Sequence, residues 1–152
     1  MVRVLICYAS YSGNTEEVAE GIQKRLLEMG MDGDLYRIRP RLTDLPNPSE
    51  YDAFVIGSFT WVKGSTPKLV KDFVAKLGIK PHPVFVFGTG DTQFGGDGLF
   101  CRAADKLARF YASPFPPLKI EQSPRGDQEM IVDEWTKGVA DYCRQNLIVS
   151  AS

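Results

Sequence analysis

Five short, largely apolar segments alternate with longer amphipathic ones along this chain, and no other feature restricts its fold as much. The short segments are Val2 to Tyr8, Asp34 to Arg39, Ala53 to Gly57, Val84 to Phe87 and Leu118 to Glu121. Strands alternating with helices make βαβ units and a parallel sheet. Val4-Leu5-Ile6-Cys7, Phe54-Val55-Ile56 and Val84-Phe85-Val86-Phe87 are unbroken apolar runs, as strands buried on both faces require. The second and fifth segments carry charge (Arg37 and Arg39; Lys119 and Glu121), which suits sheet edges. The expectation is an α/β fold. Its core is a doubly wound five-stranded parallel sheet of order 2-1-3-4-5, with helices on both faces.

Four helices follow from apolar stripes at spacings of three and four. They are Val18, Ile22, Leu26 and Met29; Leu69, Val70, Phe73, Val74 and Leu77; Phe100, Ala103, Ala104, Leu107 and Phe110; and Ile131, Trp135, Val139, Tyr142 and Cys143. Pro67 suits a helix's first turn, and Gly30 and Gly78 suit C-terminal stops. The proline-containing stretch from Pro40 to Ser49 leaves room for one short helical turn at most. A single domain over residues 1–149 is expected, with 150–152 a frayed tail.

Composition narrows function. The 18 basic and 19 acidic side chains leave a net charge of −1, unlike the basic excess of a nucleic-acid binder. No apolar run approaches the ~20 residues of a membrane span. Met1-Val2-Arg3-Val4-Leu5-Ile6 lacks the pattern of a secretory leader, so a cytoplasmic protein without a membrane partner is expected. Cys7, Cys101 and Cys143 are odd in number, with no CxxC pair. They argue against a disulfide framework and, with only His82 beside them, against a metal site. Each cysteine reads as a packing residue. His82 is wedged between Pro81 and Pro83, a poor place for a triad base.

Ligands of open parallel sheets bind beyond the C-terminal strand ends, where strand order reverses. Three unusual loops leave those ends. The first, Ser10-Tyr11-Ser12-Gly13-Asn14-Thr15, leads into a helix. Its hydroxyls, glycine and backbone N–H groups suit a phosphate monoester, although an ordinary capped polar turn has the same composition. The second runs from Gly57 to Thr66 and places Phe59 and Trp61 off any helix stripe, available to cover something flat or to fold onto the core. The third, from Gly88 to Gly98, has five glycines in eleven residues. These permit close backbone approach or simple flexibility. Other families fail at these loops. No lysine follows Gly13 as a P-loop requires. No arginine stands six residues after Cys7, as a low-molecular-weight tyrosine phosphatase needs. The ends of strands one and three lack the acids of a receiver domain.

Taken in order, these stretches resemble a short-chain flavodoxin over nearly the whole chain. Ser10 to Glu16 resembles the FMN phosphate loop, and Tyr51 to Trp61 the third strand with the first flavin loop. Phe87 to Phe94, then Phe100 to Asp105, resemble the second flavin loop and its helix. The resemblance implies an FMN-dependent carrier, passing low-potential electrons from a flavodoxin reductase or similar donor to an unidentified redox acceptor. It implies a monomer with no catalytic residues, since the cofactor does the chemistry. By position, Ser10, Ser12, Asn14 and Thr15 hold the phosphate, with backbone N–H groups of Tyr11 and Gly13. Trp61 and Phe94 cover the two flavin faces. Backbone groups of Thr60, Gly88 and Asp91 meet the flavin's polar edge. Ser58, Phe59, Val62, Gly64, Thr89, Gly90 and Gly95 complete the implied cofactor contacts.

Two departures stand out. Relatives commonly have Trp-Gly-Asp-Gly in the first flavin loop, where this chain has Trp61-Val62-Lys63-Gly64. A peptide there turns over on flavin reduction in the family, and β-branched Val62 is poorly suited to a positive φ. The implication is a one-electron-reduced flavin held less firmly than in most relatives. Relatives are also usually acidic, whereas residues 57 to 98 hold Lys63, Lys68, Lys71, Lys76 and Lys80 against Asp72, Asp91 and Asp97. A cation near the flavin favours its anionic reduced form, unless solvent screens it. Both departures, with Gln93-Phe94-Gly95, also resemble the flavodoxin-like activator of the manganese cofactor of class Ib ribonucleotide reductase. A third reading is a non-redox module for another phosphate ligand.

Overall fold

The computed structural model describes residues 2–10, 13–41, 44–60, 66–78, 80–90, 101–121 and 124–146. Five strands, β1 (Arg3–Tyr8), β2 (Asp32–Arg37), β3 (Ala53–Phe59), β4 (Val84–Gly90) and β5 (Leu118–Glu121), form one parallel sheet of order β2-β1-β3-β4-β5. The helices are α1 (Asn14–Glu28), α2 (Lys68–Leu77), α3 (Arg102–Phe110) and α4 (Asp127–Asn146). Strand order and edges are those expected from the apolar runs.

Strand alternation divides the core in two. Val4, Ile6, Val55, Phe85, Phe87, Leu118 and Ile120 join Val18, Ile22, Leu26, Val132, Val139 and Cys143 on the α1/α4 face. Leu5, Cys7, Phe54, Ile56, Val84 and Val86 join Val70, Phe73, Cys101, Ala104 and Leu107 on the α2/α3 face. Gly57 lies opposite Phe87 in the β3–β4 register. A β-carbon on Gly57 would stand 2.0 Å from the Phe87 ring, so only glycine lets the ring cross the neighbouring strand.

Helix ends follow the sequence signals. Gly30 and Gly78 take positive φ at the ends of α1 and α2. Pro67 stands immediately before α2. Pro48–Glu50 is a 3₁₀ turn whose Asn47 side chain accepts from the Ser49 N–H.

Several boundaries shift. β2 begins at Asp32, two residues before the expected Asp34, because its parallel register on β1 starts at Arg3↔Asp32. It ends at Arg37, ahead of Pro40, which has no N–H to pair. β3 and β4 run on to Phe59 and Gly90, since pairing persists through Phe59↔Thr89. In α4 the buried stripe is Val132, Thr136, Val139, Ala140 and Cys143, while Ile131 is exposed. Trp135 and Tyr142 pack at the core's margin. Phe110, expected inside, is exposed at the end of α3. There Lys80 Nζ lies 4.1 Å from its ring centroid, a cation–π contact. All three cysteines are buried.

Candidate functional site

The expected site residues that the structure describes, Ser10, Gly13, Asn14, Thr15, Ser58, Phe59, Thr60, Gly88, Thr89 and Gly90, lie at the C-terminal ends of β1, β3 and β4. There the chain leaves β1 for β2 on one side and reaches β3 on the other, which makes the strand reversal a crevice. The Ala9 N–H donates to the Gly57 carbonyl at 3.0 Å, extending the β1–β3 pairing to the mouth of the first loop.

Gly13 starts α1 with φ +93, a backbone that favours glycine, and among the described residues beyond its chain neighbours nothing lies within 4 Å of where its β-carbon would be. No side chain caps the helix at this residue. The first turn presents N–H donors and the positive end of the helix dipole at the end of β1. Ser10 Oγ accepts from the Gly13 N–H at 3.0 Å. This bond fixes the loop's curvature and leaves the serine's own hydrogen available to a ligand. It also engages the Gly13 N–H, one of the two backbone donors assigned to the phosphate from sequence.

Thr15 is buried in the first turn of α1. Its Oγ1 lies 2.7 Å from Thr89 Oγ1 at the end of β4, also buried. The start of α1 and the end of β4 are thus tied by one hydroxyl pair. Nothing in the sequence marks it, because the partners are 74 residues apart. Thr60 makes a second tie, its Oγ1 accepting from the Ala103 N–H at 3.2 Å at the start of α3. Cys101 precedes that helix in the left-handed region, φ 52. Gly88 lets α3 approach, since a β-carbon there would meet Ala104 Cβ at 2.7 Å.

Phe59, expected in a loop, ends β3 and packs on the α2/α3 core. Gly88, Thr89 and Gly90 likewise belong to β4 rather than to a loop. Ser58 is buried, its hydroxyl donating to the Phe59 carbonyl at 2.7 Å. Tyr11, Ser12, Trp61, Val62, Gly64, Asp91, Phe94 and Gly95 lie outside the described residues, as do Lys63 and Asp97.

At the outer side of the cradle, Tyr8 Oη donates to Glu16 Oε2 at 3.1 Å, and Arg37 Nη1 donates to the same oxygen at 3.0 Å. Burial first, then the Glu16 carboxylate, push the Tyr8 phenol pKa up, so it donates throughout the physiological range. His82 is exposed just before β4, at the opposite end of the sheet from this crevice.

The donor set fits a phosphate monoester. It offers a glycine-started helix N-terminus and hydroxyls of Ser10 and Thr15. Such a sheet and cradle define a class: α/β proteins that bind a phosphate-bearing cofactor at the strand-order reversal. Comparison with known proteins specifies the family. The flavodoxin family model matches residues 6–135. A probable flavodoxin 2 of Bacillus subtilis is 32% identical over 137 residues, covering 85% of this chain and 88% of that protein. A flavodoxin of Maridesulfovibrio salexigens is 31% identical over 153 residues, covering 93% and 99%. Oxidised flavodoxin 2 from Bacillus cereus superposes with a TM-score of 0.76 at 29% identity, over 92% of this chain and 99% of that one. The chain belongs to the flavodoxin family. Flavodoxins bind FMN and carry electrons without converting a substrate, so this is an FMN electron-transfer protein rather than an enzyme. The comparisons lend the ribonucleotide reductase activator no support, and the family assignment sets aside the non-redox module. Among the described residues no helix is long and apolar enough to cross a membrane.

Proposed function

We propose that this flavodoxin takes low-potential electrons from a flavoprotein reductase and passes them to an acceptor enzyme in the cytoplasm. The observation that carries the reading is the glycine-started, hydroxyl-lined beginning of α1 beside the ends of β3 and β4. Bound FMN supplies the one-electron chemistry, and the protein supplies binding, orientation and electrostatics.

In this reading Ser10, Ser12, Asn14 and Thr15 hold the phosphate. Trp61 and Phe94 cover the flavin faces, and Thr60, Gly88 and Asp91 meet its polar edge. Thr60 is suited to the task because its side chain is anchored on α3, which leaves its backbone groups to the ligand. Neutral donors alone serve the phosphate at this loop, so affinity rests on hydrogen bonds and the helix start more than on ion pairing.

The test is quenching of FMN fluorescence on titration with the cofactor-free chain, followed by stopped-flow mixing with a reduced flavodoxin reductase. Expected are stoichiometric FMN binding, much weaker riboflavin binding, and reduction of bound FMN by the reductase. Equal affinity for FMN and riboflavin would overturn the phosphate assignment. Tight FMN binding with no electron uptake from any flavoprotein reductase would overturn the proposed direction of electron flow.

A further inference from the structure

A second cavity opens at the same end of the sheet, on the far side of β1 from β3 and β4. It holds about 380 Å³ and is lined by Tyr8, Leu35, Tyr36, Arg37, Arg39, Arg41 and Asp44. That is within the range of small-molecule sites, ~300–1,000 Å³. Three of the lining residues are arginines at alternate positions at and beyond the end of β2. Arg37 is held by Glu16 at 3.0 Å. Arg39 and Arg41 are exposed, and neither has an ion-pair or hydrogen-bond partner among the described residues. Asp44 is the only acid among the described lining residues, so the cavity carries a local positive excess on a chain whose net charge is −1.

We infer that this cavity is an anion site for a small phosphorylated molecule, separate from the FMN cradle. Guanidinium groups match phosphate oxygens with paired, parallel hydrogen bonds. Two such forks without partners suit a ligand bearing at least two phosphate charges. Tyr8 and Glu16 stand where the cavity meets the first turn of α1: the Tyr8 phenol donates to the Glu16 carboxylate, which also accepts from Arg37. The strand order places the cavity on the β2 side of β1, whereas the strands leading into both implied flavin loops are β3 and β4. A redox partner seated on these arginines would therefore stand away from the flavin edge. Three arginines on a nearly neutral chain are also too few for nucleic acid.

The experiment is calorimetric titration of the full chain with inorganic pyrophosphate at low ionic strength, with and without saturating FMN. Saturable binding that persists when FMN fills the cradle is expected. The double variant Arg39→Ala/Arg41→Ala should bind pyrophosphate about tenfold more weakly or worse, with FMN affinity unchanged. A control, Lys76→Ala/Lys137→Ala, removes the same charge from α2 and α4 and should bind like the parent. Three results would overturn the inference: no saturable binding to the parent, loss of binding when FMN is present, or equal weakening in both double variants. If the chain fails to bind FMN at all, the electron-carrier reading falls. The contrast between the two double variants still decides this one.

Discussion

The two faces of the sheet are covered differently. On one, α1 and α4 pack on each other as well as on the strands. Phe85 sits there amid aromatic rings, with centroids 5.3 Å from Phe115, 5.5 Å from Tyr142 and 6.4 Å from Trp135. On the other face an apolar groove of about 550 Å³ runs between α2 and α3, lined by Val70, Val74, Leu107 and Phe110 with Lys71, Lys80 and Lys106 at its rim. The cause lies in side-chain size. Gly88, Ala103 and Ala104 let α3 settle close to the end of β4, and the short α2 does not fill the space beside it. One face is therefore sealed by large interlocking rings. The other gives up helix–helix packing and holds α3 close to the site. Stability should concentrate on the first face and tolerance to change on the second.

The contrast can be broken most directly at Phe85. Phe85→Ala should cost about 3–5 kcal/mol through lost burial and an aromatic-lined void, read as a lower urea midpoint. A loss below about 1 kcal/mol would show that the α1/α4 face is not the stability centre. Two glycines sharpen the comparison. Gly57→Ala drives a methyl into the Phe87 ring, buried on the sealed face, and should cost about 1–3 kcal/mol or more. Gly88→Ala meets Ala104 Cβ at 2.7 Å, with the Ser58 carbonyl oxygen at 3.4 Å and Cys101 Cβ at 3.6 Å in ordinary contact; because α3 has open space beside it, the change should cost less. The reverse order in thermal melts would refute the assignment of slack to α3.

Alkaline pH probes the buried thiols without mutation, Cys7 and Cys101 on the grooved face and Cys143, pushed up to about 11 by burial, on the sealed one. Burial pushes the Cys101 thiol pKa up to about 12 from its ordinary 9.0, and burial also raises that of Cys7. The folded state keeps these protons when the unfolded chain has lost them. Their contribution is thus fully present below pH 9 and is lost as pH rises toward the folded values. The slope is about 1.4 kcal/mol per pH unit for each thiol. Urea melts between pH 8 and about 10.5 test this. A flat profile would mean that water reaches these thiols despite their packing.

Thr89→Val removes one half of the hydroxyl pair that ties β4 to α1 at the top of the sealed face. A stability loss of about 1 kcal/mol is expected from the stranded Thr15 hydroxyl, together with a smaller preference for FMN over riboflavin. Thr89→Ser should restore both. An unchanged preference would separate the tie from phosphate binding. The smallest effect belongs to Phe110→Ala at the groove's rim, within about 0.5 kcal/mol by urea melts, because its ring is exposed and its cation–π contact with Lys80 is solvated.

Much of the scaffold was legible because it rests on local pattern. The unbroken runs of β1, β3 and β4 marked central strands, and charged Arg37 and Lys119 marked the edges. The helix stripe on α1 read correctly at Val18, Ile22 and Leu26. It misread α4 because Ile131 and Val132 are both apolar neighbours, and only packing against β5 and α1 decides which turns inward. Phe110 was misplaced for a similar reason: it continues the α3 stripe, yet α3 ends where the sheet no longer covers it. The proposed phosphate cradle rests on a hydroxyl-rich, glycine-bearing stretch before a helix, and the structure bears out the helix start there. Its internal bonds, Ser10 with Gly13 and Thr15 with Thr89, were not legible.

The sequence by itself determined the βαβ alternation, the central and edge strands, the glycine at the start of α1 and the resemblance to flavodoxins. These depend on periodicity, backbone freedom and short motifs, which are properties of neighbouring residues. Only the tertiary structure decided that Thr89 meets Thr15, that Thr60 is anchored on α3, and that Arg37, Arg39 and Arg41 share one cavity with Tyr8. Such contacts join residues far apart in the chain, and their partners are chosen by how the sheet twists and the helices settle on it. No local pattern encodes that choice.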